Sequence, residues 1–208
     1  MAARTTSSPP TFGFLTVIED PEHGLFGGYL ALNAGGRPLE FHCTAPVKPN
    51  RAQEILYGPS LMPFVQGELI GGALLARAKT TPLVVCTDQA PAIALRRVTE
   101  APVLLVLGEN DEPEGDRLST APVIRTERHT TAKVVSGSRW IRFQIGNNKV
   151  AVSATDEQDR ARIEESCGSM LADFDLQEPF SRIREALQEA RNAAASPAAR
   201  APRVNAAA

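Results

Sequence analysis

The chain has 208 residues, 43% of them hydrophobic and 22% charged, enough for an ordinary globular core of one domain with at most a small appendage. Lys and Arg number 22 against 24 Asp and Glu, a net charge of −2 that excludes a strongly basic nucleic-acid binder but leaves room for a local basic patch. Three cysteines exclude a disulfide scaffold, no run of about 18 apolar residues is present to cross a membrane, and residues 1–10 lack the apolar segment of a secretory signal, so a cytoplasmic protein without a membrane partner is expected.

Residues 1–10, rich in Ser, Thr and Pro, read as a disordered leader, and the Ala-rich stretch 192–208, broken by Pro197 and Pro202, reads as a disordered tail. Residues 109–121 (ENDEPEGDRLSTA) form an acidic loop with Pro113 and Gly115 and almost nothing to bury. They separate a first block, 11–108, from a second, 122–191.

The first block opens with three strands. Residues 12–18 (FGFLTVI) mix aromatic and β-branched side chains, and residues 26–33 (FGGYLALN) follow a turn at EDPEHG. Residues 38–45 alternate Leu39, Phe41 and Cys43 against Glu40, His42 and Thr44, the period of a half-buried strand. Short turns between them predict an antiparallel meander. The period then changes. Residues 50–57 predict a short helical turn, ended by Pro59 and Pro63. Residues 64–79 predict a longer helix with a stripe at Val65, Leu69, Ala73 and Ala76, widened by Ile70, Leu74 and Leu75. Gly67, Gly71 and Gly72 weaken it but suit close packing on a sheet. The apolar runs LVVC (83–86) and VLLVL (103–107) predict central parallel strands, with a short helix at 90–97 between them.

The second block predicts strands at 132–136 and 139–145, a hairpin through Gly146 into 149–153, and a helix capped by Thr155 with Gln158 at the capping-box position. A last helix opens at Pro179 with Phe180, Ile183, Leu187 and Ala190 on one face. The expected fold is α/β (or α+β): a five-stranded mixed sheet of order β-β-β-α-β-α-β, then a β-hairpin and two C-terminal helices packed on it.

That element order is the core order of the ribonuclease H-like fold. Residues 68–88, ELIGGALLARAKTTPLVVCTD, resemble the segment in which the ribonucleases H run from a helix with a catalytic Glu to an apolar strand ending in Thr-Asp or Ser-Asp. Asp20, followed by Gly24, Gly27, Gly28 and Tyr29, resembles the strand-one Asp and its glycine-rich approach to strand two. The resemblance spans residues 12–107. It implies a divalent-metal-dependent nuclease or related phosphodiester-processing protein, with Asp20, Glu68 and Asp88 as catalytic metal ligands for Mg²⁺ or Mn²⁺. A further carboxylate would come from a later element, with Glu109 and Asp111 as candidates. Two departures stand in the same residues. Asp20 precedes Pro21 in a turn rather than lying within a strand, and Glu54 is a second candidate for the helix Glu. The ordinary structural reading makes Asp20 a turn residue, Glu68 a first-turn acid and Asp88 the N-cap of the helix after its strand.

Arg128, His129, Arg139 and Arg142 cluster around the predicted hairpin with Trp140 and Phe143, a pattern that suits phosphate contact and base stacking by a nucleic acid. The alternative is a hairpin with a basic wet face and its aromatics in the core. His42 and Cys43 are adjacent on one strand and point to opposite faces, so no zinc site is read from the cysteines. No phosphate-binding glycine loop, nucleophile elbow or HExxH motif is present. The competing expectation is a non-catalytic α/β binding or scaffold protein, whose second block makes a homodimer or protein-partner surface through Phe180, Ile183 and Leu187.

Overall fold

The computed structural model describes residues 9–108 and 139–195. The leader up to residue 8, the whole acidic loop, the predicted strand at 132–136 and the tail beyond residue 195 lie outside the described residues.

The three-strand meander forms as read: β1 (Thr11–Asp20), β2 (Gly24–Asn33) and β3 (Pro38–Cys43). β4 (Val84–Thr87) and β5 (Val103–Leu107) run parallel to β1. β6 (Trp140–Ile145) and β7 (Asn148–Ser153) make the predicted hairpin, and Gly146 at its turn has φ +57°, the left-handed region that glycine reaches without cost. The hairpin is not packed onto a five-stranded sheet. β7 pairs antiparallel with β5, so all the described strands form one mixed seven-stranded sheet of order β3-β2-β1-β4-β5-β7-β6. The outer edge of β5 was open to pairing, and the hairpin satisfies it.

Two layers cover the sheet. Alternation along β1 sends Phe12, Phe14 and Ile18 to one face and Leu15 and Val17 to the other. The first face is closed by α3 (Gln158–Ser166), α4 (Gly168–Ala172) and α5 (Glu178–Ala195), through Ile163, Cys167, Leu171, Phe180, Ile183 and Leu187. Phe180, Ile183 and Leu187 are at most 2% exposed, so the face expected to meet a partner is core instead. Each such side chain contributes about 1.5–3 kcal/mol of burial. Gly28 lets α5 sit close: a Cβ there would lie 2.3 Å from Ile183.

The second face is closed by the segment between β3 and β4. α1 (Arg51–Tyr57) starts at Asn50, whose side chain accepts from the Gln53 N–H while Gln53 reciprocates, and buries none of its residues. A 3-10 turn (Gly58–Ser60) follows, and helical backbone resumes at Leu61. Pro59 and Pro63 therefore interrupt the chain only at Gly58; Pro63 opens a π-helical stretch (Pro63–Gly71) that runs straight into α2 (Gly72–Arg77). The buried residues are Val65, Ile70 and Leu74, whereas Leu69 is 42% exposed and Ala73 and Ala76 are exposed. The predicted stripe is displaced because a π turn carries an extra residue, which sets Val65 above Ile70 rather than above Leu69.

A 3-10 helix (Ala90–Arg97) joins β4 to β5 on this face. In the second block Ser153, not Thr155, caps a short 3-10 turn (Ala154–Asp156), and the expected single helix breaks between α3 and α4 at Cys167. No helix among the described residues is long and apolar enough to cross a membrane.

Candidate functional site

Asp88 directly follows β4, at the carboxyl end of a parallel strand beside β1, where open α/β sheets place ligands. Its side chain is 9% exposed, and its Oδ2 pairs with Arg184 of α5. Its Oδ1 is buried without a hydrogen bond, as is the hydroxyl of Thr16. Burial pushes the carboxyl above its usual range, against the opposing pull of the Thr16 hydroxyl and the Arg184 guanidinium. Asp88 is not a helix cap: the cap residue of the 3-10 helix after β4 is Gln89, whose N–H donates to Thr87 Oγ1.

Asp20 ends β1 on the same sheet face. Its Oδ1 accepts from the ring Nδ1 of His23 at 2.8 Å and from the backbone N–H groups of His23 and Glu22 at 2.7 and 3.0 Å. Its Oδ2 pairs with Arg191 of α5, whose guanidinium lies 5.1 Å over the Phe26 ring. The His23 ring and backbone bonds, with Arg191 adding to them, hold the carboxyl at about 2. Arg184 and Arg191 are seven residues apart, two helical turns, so α5 offers one guanidinium to each aspartate.

The strand register measures the gap between the aspartates. Leu15 lies opposite Thr87, so Thr16 lies level with Asp88, and Asp20 is four residues further on, about 13 Å along the strand. Glu68 is on the other layer: it belongs to the π-helical stretch on the opposite sheet face and pairs with Arg97 at 2.9 Å. Glu54 pairs with Arg51 on exposed α1. Glu109 and Asp111 lie outside the described residues. The structure therefore does not bring Asp20, Glu68 and Asp88 together, and among the described residues no three His, Cys, Asp or Glu side chains are grouped to hold a metal ion. Metals about 4 Å apart need carboxylates that reach both. The position level with Asp88 on β1 is a threonine, and the two aspartates already face cations, so these residues do not fit Mg²⁺ or Mn²⁺.

Of the expected nucleic-acid contacts, Arg128 and His129 lie outside the described residues. Arg139 and Trp140 line a groove of about 530 Å³ with Met62, Pro63, Pro91 and Arg97. Trp140 packs half-buried against the second core layer, and Arg142 is exposed two residues on, on the same face. Phe143 faces the other way, 5.2 Å beneath the Arg160 guanidinium. Cys86 and Cys167 are buried, and burial drives both thiols above their ordinary values.

Three charged clamps escaped the sequence reading. Glu40 accepts from the N–H groups of Lys79 and Thr80, from the Thr80 hydroxyl and from His42; these bonds outweigh its burial and hold it at about 2. Asp159, 1% exposed on α3, takes Arg96 at 2.7 Å and Arg162 at 3.3 Å, and the Arg96 guanidinium rises further above its usual range through its bond to Asp159. The arginines of α5 are the third. Their spacing carried a signal, since each stands four residues after an apolar core position, Phe180 or Leu187.

Compared with known proteins, the chain matches no family model and no curated protein.

Proposed function

We propose that the chain is a cytoplasmic, non-catalytic binding or scaffold module on a ribonuclease H-like core. The strand order β3-β2-β1-β4-β5, with β4 and β5 parallel to β1, supports the likeness of the core. The observation that carries the non-catalytic part is the capture of the two aspartates by α5: Arg184 on Asp88 and Arg191 on Asp20. A metal at either aspartate would have to displace a guanidinium held by a helix whose apolar face is core. Three unpaired cysteines, two of them buried, agree with a reducing compartment.

The test is calorimetric titration of the full chain with Mg²⁺ and Mn²⁺, beside Asp88→Asn. No saturable heat at millimolar metal is expected, together with no cleavage of RNA, DNA or their hybrid. Saturable binding that Asp88→Asn abolishes, accompanied by cleavage of any of these substrates, would overturn the reading in favour of a metal-dependent phosphodiester hydrolase.

A further inference from the structure

We infer that β3 is the seam of a homodimer: two copies of the chain pair their β3 strands antiparallel about a two-fold axis at Phe41, joining two seven-stranded sheets into one. β3 ends the sheet, and no described strand lies beyond it. Its backbone parity is fixed by β2. The Thr44 N–H donates to the Gly27 carbonyl at 3.0 Å, so Glu40, His42 and Thr44 turn their backbone groups toward β2, while Phe41 and Cys43 turn theirs outward. An edge of this kind is a template for another strand. Pro38 and the register shift between Ala31 and Leu32 blunt its start, which leaves residues 40–43 as the open part. Phe41 is 37% exposed there, and Cys43 is exposed beside it.

The order of residues along the strand names a second copy as the partner. Glu40 stands one residue before Phe41 and His42 one after, and both lie on the face that carries their β2 neighbours Ala31 and Tyr29, opposite to Phe41. An antiparallel pair centred on Phe41 therefore sets residue 40 of each copy directly across from residue 42 of the other, on one face. Glu40 and His42 already bond along the strand at 3.0 Å, and the seam repeats that pairing twice across the axis. Such self-complementarity is what an isologous contact needs. Phe41 exchanges both backbone bonds with Phe41 of the other copy, and the two rings meet on the other face. A register centred on His42 would instead set His42 against His42 and lose the opposite charges. The chain's own segments do not supply this strand. The strand predicted at 132–136, outside the described residues, is tied to Arg139 by three residues, about 10 Å of chain. β3 lies six strand spacings from β6, about 29 Å. The leader 1–8 and the tail 196–208 hold no alternating apolar pattern, and the tail carries Pro197 and Pro202.

This assignment names the partner for the binding-module reading and rests on it; the metal titration decides that reading, and the oligomeric state decides this one. One strand pair makes a small seam, so association in the micromolar range is expected. Sedimentation of the full chain up to about 100 µM should show a species of twice 22.3 kDa. Phe41→Pro removes an N–H that β2 does not use, so β3 should keep its place while association weakens by more than about a hundredfold. His42→Glu sets like charges across the seam and should weaken it about tenfold. Phe41→Cys in a Cys43→Ser background, treated with oxidised glutathione, should give a disulfide-linked dimer on a non-reducing gel, and the cross-link decides the matter should Phe41→Pro fail to fold. A monomer throughout the range, a dimer indifferent to Phe41→Pro, or no cross-link would each overturn the proposal.

Discussion

At the scale of single residues, the chemistry of Asp88 is dominated by burial and that of Asp20 and Glu40 by hydrogen bonds. Asp88 is an acid whose folded-state titration lies above its unfolded one, so its charge opposes folding at neutral pH and protonation relieves it. Arg184 supplies the compensating charge. Arg184→Met should therefore destabilise the fold by about 1–3 kcal/mol, below the cost of breaking a fully buried pair because the arginine is itself 44% exposed. The loss should be largest at neutral pH and should shrink as acid protonates Asp88. Adding Asp88→Asn should recover much of it. Urea denaturation of the two single variants and the double variant at several pH values gives this coupling; additive losses would contradict it.

Glu40 has the opposite sign. Its carboxyl ordinarily titrates at 4.5 and is held at about 2 by the Lys79 and Thr80 donors and His42, so its stabilisation is complete above pH 4.5 and disappears as pH falls toward 2. Asp20 behaves likewise between 3.8 and about 2. Glu40→Gln should lower stability at neutral pH by about 1–3 kcal/mol and flatten the acid limb of the stability curve between pH 4.5 and 2. Asp20 should preserve the remaining slope. An unchanged acid limb would show that the bonds to Lys79 and Thr80 do not favour the charged form.

At the scale of elements, the glycines of the long helical run separate two effects that propensity alone merges. Glycine in a helix interior costs about 1 kcal/mol relative to alanine wherever a methyl group has room. At Gly67 it has none: a Cβ would stand 2.6 Å from the Leu95 backbone nitrogen and 2.8 Å from the Ala94 carbonyl carbon. Gly67→Ala must push the 3-10 helix at Ala90–Arg97 off its bed, and overpacking of this kind costs about 1–3 kcal/mol, more than the propensity gain. At Gly72 the Cβ meets only a Val98 methyl at 3.4 Å, and Gly72→Ala should be neutral or stabilise by up to about 1 kcal/mol. Thermal melts of the two variants should therefore move in opposite directions, or Gly67 alone should move. Equal shifts would mean that helix propensity decides both sites.

The same run shows why strands were legible and this helix was not. Period-two alternation and continuous apolar runs report strand burial directly, and β1 to β5 lie where Phe12, Leu30, Phe41, Val84 and Leu104 put them. A π turn leaves no such mark. In VQGELIGG only Gln66 and Glu68 are polar, so a 3.6-residue period could be drawn through Leu69 as readily as through Ile70. The packing of Gly67 and Gly71 against the second face is what selects the buried side. The candidate site was legible only as residue types. Asp20 and Asp88 do share a sheet face, but their separation depends on strand register, and their partners stand on a helix roughly a hundred residues or more further along the chain.

At the scale of the whole molecule, the second block is half of the first block's environment. β7 satisfies the edge of β5, and α3, α4 and α5 cover the face that carries Phe12, Phe14, Leu30, Leu32, Val84 and Cys86. Asp159 of α3, buried and clamped on Arg96, ties the second block to the opposite layer as well. A chain ending at residue 121 would keep β1 to β5 and lose one entire layer. Its sheet would expose those six side chains to water, at about 1.5–3 kcal/mol each, against a total stability of about 5–15 kcal/mol for an ordinary domain. Residues 1–121 should therefore not fold cooperatively: they should bind ANS, lack dispersed amide signals and melt without a transition, while the full chain melts in one step. A cooperative melt for residues 1–121 would make the first block an autonomous domain and the second an appended one. The whole-chain outcome also bears on function, because the arginines that hold Asp20 and Asp88 belong to the layer the truncation removes. If the sheet cannot stand without α5, both arginines remain within reach of the aspartates for as long as the protein is folded.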